Sequence, residues 1–159
     1  MTRFVALPLL LLATQLMAKE SLGVFAEWAA FRDVETPRCY AIAQNVTDEE
    51  ELGYTTVGIW PGLDVRGQIH VQLSREIARG ARVRMRIGNR RFDLKSEGQK
   101  AWAKDNGMDA AIIAAMRSAT SMRVSSIATN GRAFTDRYTL EGAATAMDAA
   151  LIGCASSNN

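Results

Sequence analysis

In residues 82–87 arginine and apolar side chains alternate one for one: Arg82, Arg84 and Arg86 against Val83, Met85 and Ile87. A period of two puts the two sets on opposite faces of an extended strand, a separation that no helix of this pattern can give. Gly88-Asn89 follows as a turn signal, and Arg91-Phe92-Asp93-Leu94-Lys95 returns antiparallel. This stretch is therefore a β-hairpin with one apolar and one basic face. The rest of the chain must supply what covers the apolar one.

Further strands follow the same logic. Phe25–Phe31 reads as one short aromatic strand, with punctuation at Thr36-Pro37, and residues 38–46 read as a second. Tyr54–Trp60 is β-branched and stops at Pro61-Gly62, and Gln68–Ser74 alternates with Ile69, Val71 and Leu73 on one face. Met122–Ala128 and Ala133–Leu140 flank Asn130-Gly131, a strong hairpin signal. The acidic run Asp48-Glu49-Glu50-Glu51 reads as a solvated loop. The period becomes helical over Asp105–Ala119, where Asp105 or Asn106 can cap and Met108, Ala111, Ile112, Ala115 and Met116 share a face. Residues 142–151 read as a closing helix. Seven or eight short strands with these helices predict a mainly β fold: an immunoglobulin-like antiparallel β-sandwich with one inserted helix and a C-terminal helix.

The first residues stand apart from that body. Arg3 precedes an apolar run from Phe4 to Ala13, and small Ala18 follows. The run is about half of the roughly 20 residues that span a bilayer. Residues 1–18 are expected to be a signal peptide, cleaved after Ala18, with an uncleaved anchor as the alternative. The expected address is the bacterial periplasm or the exterior, with no transmembrane span after cleavage. Residues 19–159 carry no repeat or composition break and are expected to form a single domain, for which 159 residues at 48% hydrophobic content suffice. Cleavage removes Arg3 alone and lowers the net charge from +2 to +1. Such a balance gives no global attraction for nucleic acid or membranes.

Few residues offer chemistry. The chain has one histidine and two cysteines, too few for an all-protein transition-metal site or a histidine-based centre. No catalytic, cofactor-binding or metal-binding residue is assigned. Cys39 and Cys154 are expected to form a disulfide in an oxidising compartment, the alternative being two unpaired thiols. The densest charge feature is Arg75, Arg79, Arg82, Arg84, Arg86, Arg90 and Arg91, with Glu76 the single acid between Arg75 and Arg91. It reads either as a contact surface for a protein or an anionic envelope component, or as a solvated face paired with acids such as Asp93. Two other functional classes stay open. One is a periplasmic hydrolase using His70 or paired carboxylates such as Asp93 and Glu97. The other is a sandwich that binds a small apolar ligand beside the Met108–Met116 helix.

Several segments together resemble the invasion-associated locus B family of exported bacterial proteins. They are Phe25-Ala26-Glu27-Trp28, residues 38–44, the Arg82–Leu94 hairpin, residues 109–116, Gly131-Arg132-Ala133-Phe134-Thr135, and residues 138–148. The resemblance covers nearly all of residues 19–159. It implies a single sandwich domain, and some members are associated with entry into host cells. It brings no catalytic residues, and this chain departs from the pattern in lacking further cysteines around its central strands. The expectation is an exported, non-enzymatic cell-envelope protein that acts through surface contacts.

Overall fold

The computed structural model describes residues 19–46 and 52–155. The expected signal peptide and the acidic run at 48–51 lie outside the described residues. In chain order the elements are β1 (Glu20–Phe25), β2 (Trp28–Asp33), β3 (Arg38–Gln44), β4 (Tyr54–Trp60), β5 (Val65–Gln72), β6 (Val83–Ile87), β7 (Arg90–Glu97), β8 (Lys100–Trp102), α1 (Asn106–Ser118), β9 (Ser121–Ile127), β10 (Ala133–Thr139) and α2 (Ala143–Ala155). All ten strands join one antiparallel sheet in the order β1-β2-β3-β4-β5-β8-β7-β6-β9-β10. The mainly β body, the inserted helix and the C-terminal helix stand as the sequence predicts.

The sheet curls back on itself. β7 pairs with β6 through Arg90–Leu94 and with β8 through Lys95–Glu97, so one strand serves both halves of the sheet. The last strand then returns to the first ones: Trp28 Nε1 donates to the Thr139 carbonyl at 2.9 Å, and Val46 N donates to the Arg137 carbonyl at 2.7 Å. Inward residues of both halves form one apolar cluster, including Ile69, Val71, Val83, Met85, Ile87, Met122 and Val124. The alternation of residues 83–87 is thereby explained: Val83, Met85 and Ile87 are at most 1% exposed.

Two departures from the sequence reading have physical causes. Phe25–Phe31 is not one strand, because Ala26 takes a left-handed φ of 51° and Phe25 pairs with Trp28 across a tight turn. Alanine at that φ gives no turn signal in a sequence. β8, only three residues long, has Ala101 alone buried and is too short to display a periodicity.

Both helices cover the open side of the curl. α1 is capped by Asp105, whose carboxylate accepts from Met108 N at 2.8 Å. Asp109 in its first turn points inward, is 5% exposed, and accepts from Ile69 N at 2.8 Å. That main-chain donor lies just past the rungs where β8 pairs with β5, so a helix side chain replaces the missing strand. α2 packs on β1, β2 and β3, and its buried face is Ala143, Ala146, Met147, Ala150 and Cys154. The strands beneath contribute Ala30, Ala41 and Ala43, so small residues meet small residues and the helix lies close. Cys39 and Cys154 are joined there as a disulfide with Cα atoms 5.7 Å apart.

Gly142, at the start of α2, has a φ of 84°, and a Cβ there would strike the carbonyl oxygen of Phe25. Only glycine lets the helix start against β1. A second seam is held by Asp136 of β10, 2% exposed. Its carboxylate accepts from Asn45 Nδ2 at 3.2 Å and from Ser74 N at 3.0 Å, and Asn45 Oδ1 accepts from Gly53 N at 2.9 Å. One buried acid therefore ties β10 to the loops after β3 and β5. Burial raises its pKa above the ordinary range.

Candidate interaction surface

The basic face of the hairpin extends across two more strands. In the pairing register Arg91 of β7 lies opposite Arg86 of β6, Arg86 opposite Arg123 of β9, and Arg123 opposite Arg137 of β10. Directly paired residues share a sheet face, so the four arginines form a row across four strands. At about 4.8 Å per strand the row is about 14 Å long. All four are exposed, and each is flanked along its strand by inward neighbours: Phe92, Met85 and Ile87, Met122 and Val124, Asp136 and Tyr138. Among the described residues none of the four enters an ion pair.

The rungs beside the row are neutral and hydroxyl-rich. On one side Arg84 pairs with Asp93 at 3.3 Å, cancelling charge, and Ser125 Oγ lies 3.0 Å from Thr135 Oγ1. On the other side Ser121 pairs with Thr139 beyond the Gly88-Asn89 turn. Like charges directly opposite one another destabilise a sheet. Three such contacts follow in succession here, and among the described residues no acid forms an ion pair with them.

The seven arginines of the sequence cluster divide. Arg84 and Arg86 share the outer face of β6, and Arg82 lies just before that strand with its carbonyl accepting from Ser126 Oγ at 3.1 Å. Arg90 faces away from Arg91: its guanidinium donates to the Ala111 carbonyl at 3.2 Å and covers the Phe92 ring at 5.1 Å. Arg75 and Arg79 lie between β5 and β6, away from the row, and the Arg75 charge bears on Asp136. Arg123 and Arg137 belong to the row without having stood out in the sequence. Their signal was the alternation of Arg123 with Met122 and Val124, but which strand lies beside β6 is a matter of register that local pattern does not encode.

The residues weighed for hydrolysis are separate. His70 sits on the outer side of β5 near the Tyr54 ring, centroids 6.4 Å apart. Burial and the Lys100 charge hold its pKa below the usual histidine value. Asp93 is engaged by Arg84, and Glu97 lies four residues along the same strand, a backbone rise of about 13 Å. Hydrolytic carboxylate pairs work at about 5–10 Å. Among the described residues no group of three or more His, Cys, Asp or Glu is placed to hold a metal ion. Nor is any helix there long and apolar enough to cross a membrane. Ile112 and Met116 of α1 are buried in the core, and Met108 packs against it. A groove of about 510 Å³ runs beside the helix, lined by Val65, Arg66, Gly67, Ile113 and Arg117 among others.

The family model for the Invasion associated locus B (IalB) protein matches residues 29–151. Among solved structures, the crystal structure of invasion associated protein b from Bartonella henselae is similar, with a TM-score of 0.63 and 14% sequence identity. The match covers 87% of this chain and 99% of that one. At that identity the likeness is one of fold. No curated protein sequence matches the chain.

Proposed function

The chain belongs to the invasion associated locus B family, and from that premise we propose that it is an exported, non-enzymatic envelope protein that works by surface contact. The single observation that carries the reading is the row Arg91–Arg86–Arg123–Arg137: four exposed charges with no acid among the described residues to answer them. A surface that accepts like-charge contacts in its own sheet is suited to an anionic partner. Export is supported by Arg3 and the apolar run behind it. The Cys39–Cys154 disulfide also suits an oxidising compartment such as the periplasm or the exterior. The similar Bartonella protein is described as invasion associated. For this chain, contact with a host surface is one setting in which the same basic face would serve.

The test is capture of partners from envelope extracts by the protein lacking residues 1–18, beside the variant Arg86→Ser/Arg123→Ser/Arg137→Ser. The expected result is a partner retained by the parent protein and lost by the variant, with an unchanged thermal midpoint. Equal capture by both proteins overturns the reading, as does turnover of any substrate that the parent protein catalyses.

A further inference from the structure

We infer that the arginine row is a docking strip for a linear acidic polysaccharide, one carrying a carboxylate on each successive sugar, laid across the strands. The inference rests on the surface-contact reading above and names the partner's chemistry. Spacing is the first reason. Neighbouring arginines of the row are register partners one strand apart, about 4.8 Å at the backbone, in a line that crosses the strands. A pyranose unit has nearly that length, so a linear sugar chain laid along the row advances about one unit per strand and keeps its charge in step with the arginines. An extended peptide rises about 3.3 Å per residue, so its units do not keep step with the strands.

The flanking residues are the second reason. Ser125 and Thr135 on one side, and Ser121, Thr139 and Asn89 on the other, give hydroxyl and amide groups level with the row. Those groups suit the hydroxyls of a hydrated sugar chain. Protein-binding centres favour buried aromatic anchors beside their arginines, and membrane-surface binding needs apolar side chains that enter the acyl boundary. The row and its two flanking rungs hold no aromatic or large apolar side chain on this face.

Guanidinium geometry is the third reason. Each arginine can engage a carboxylate through two parallel N–H donors, which fixes orientation as well as charge. A bound polyanion also offsets the three like-charge contacts with attractive ones, so the strip is better suited to the occupied state than to the empty one.

The test uses the protein without residues 1–18 and four probes in calorimetric titration: oligogalacturonate, a neutral maltooligosaccharide of equal length, polyglutamate of equal charge, and phosphatidylglycerol vesicles. The expected outcome is binding of oligogalacturonate with no binding of the neutral sugar, weakened at least tenfold in Arg86→Ser/Arg123→Ser. The charge-matched control Arg79→Ser/Arg132→Ser, whose two arginines are exposed away from the row, keeps the parent affinity. Polyglutamate bound as tightly as oligogalacturonate, or equal weakening in both double variants, overturns the inference in favour of unspecific charge attraction. Binding to vesicles alone also overturns it. In either case capture of an envelope partner through the row still stands or falls separately, so the two claims fail in distinguishable ways.

Discussion

Replacing Cys39 and Cys154 together with alanine removes a cross-link that spans 115 positions of the chain. The chain-entropy relation assigns a closed loop of that size about 4.8 kcal/mol at 25 °C, arising from the freedom denied to the unfolded chain. For a domain of about 140 residues, unfolding entropy near the midpoint is about 0.3 kcal/mol per kelvin, which converts the loss to a fall of about 16 °C. Both sulfurs are buried, Cys39 at 0% and Cys154 at 4% exposure, so truncation adds a smaller packing loss in the same direction. Equilibrium urea unfolding of the two proteins measures the sum. The denaturant slope gives the mechanism: an uncrosslinked unfolded chain exposes more surface, so the slope rises in the variant. A stability loss below about 1 kcal/mol with an unchanged slope refutes the reasoning, since the unfolded state would then be indifferent to the link.

Gly142→Ala carries both a left-handed backbone cost of about 1–2 kcal/mol and a collision with the Phe25 carbonyl, whereas Gly131→Ala, at φ 79° with open space around it, carries only the first. Thermal midpoints of the pair should differ markedly; equal losses would remove the steric part of the account. Asp136→Ala strands the Ser74 and Asn45 donors in the interior and should cost about 2–6 kcal/mol by urea unfolding, at about 1–3 kcal/mol for each unsatisfied group. A loss under about 1 kcal/mol would show that water replaces the carboxylate freely. His70 is the one histidine, so its imidazole proton resonances give its titration directly, with a midpoint below 6.5. Because the unfolded chain then takes up the proton more readily, His70 withdraws stability as pH falls from 6.5 towards the folded value, and His70→Gln abolishes that part of the slope. A midpoint at or above 6.5 would reverse the sign.

What the sequence made legible was what period and punctuation encode. Tyr54–Trp60 ends where Pro61 and Gly62 demand it, the helix begins at its Asp105 cap, and the Gly88-Asn89 and Asn130-Gly131 turns close the hairpins they announce. The β1–β2 turn was hidden because Ala26 adopts a backbone conformation held by tertiary packing. Nothing in the local pattern marks Asp109 and Asp136, yet each accepts a main-chain hydrogen bond in the interior, a role that depends on which donors lack a strand partner. The arginine row was half legible. Alternation puts Arg84 and Arg86 on one face, but pairing Arg86 with Arg123, and Arg123 with Arg137, needs the order of strands in the sheet.

Phe25 abuts Gly142, Trp28 bonds to Thr139, and Cys39 is tied to Cys154, so the opening quarter of the protein is completed by its closing fifth. A polypeptide leaving a ribosome or a secretion pore head first can pair its early strands with one another, but their inner face stays uncovered until nearly all of it has emerged. Long-range closure of this kind is slow and exposes apolar surface meanwhile. That delay is compatible with the export proposed above, and it makes truncation at the tail more damaging than the small size of the lost piece suggests.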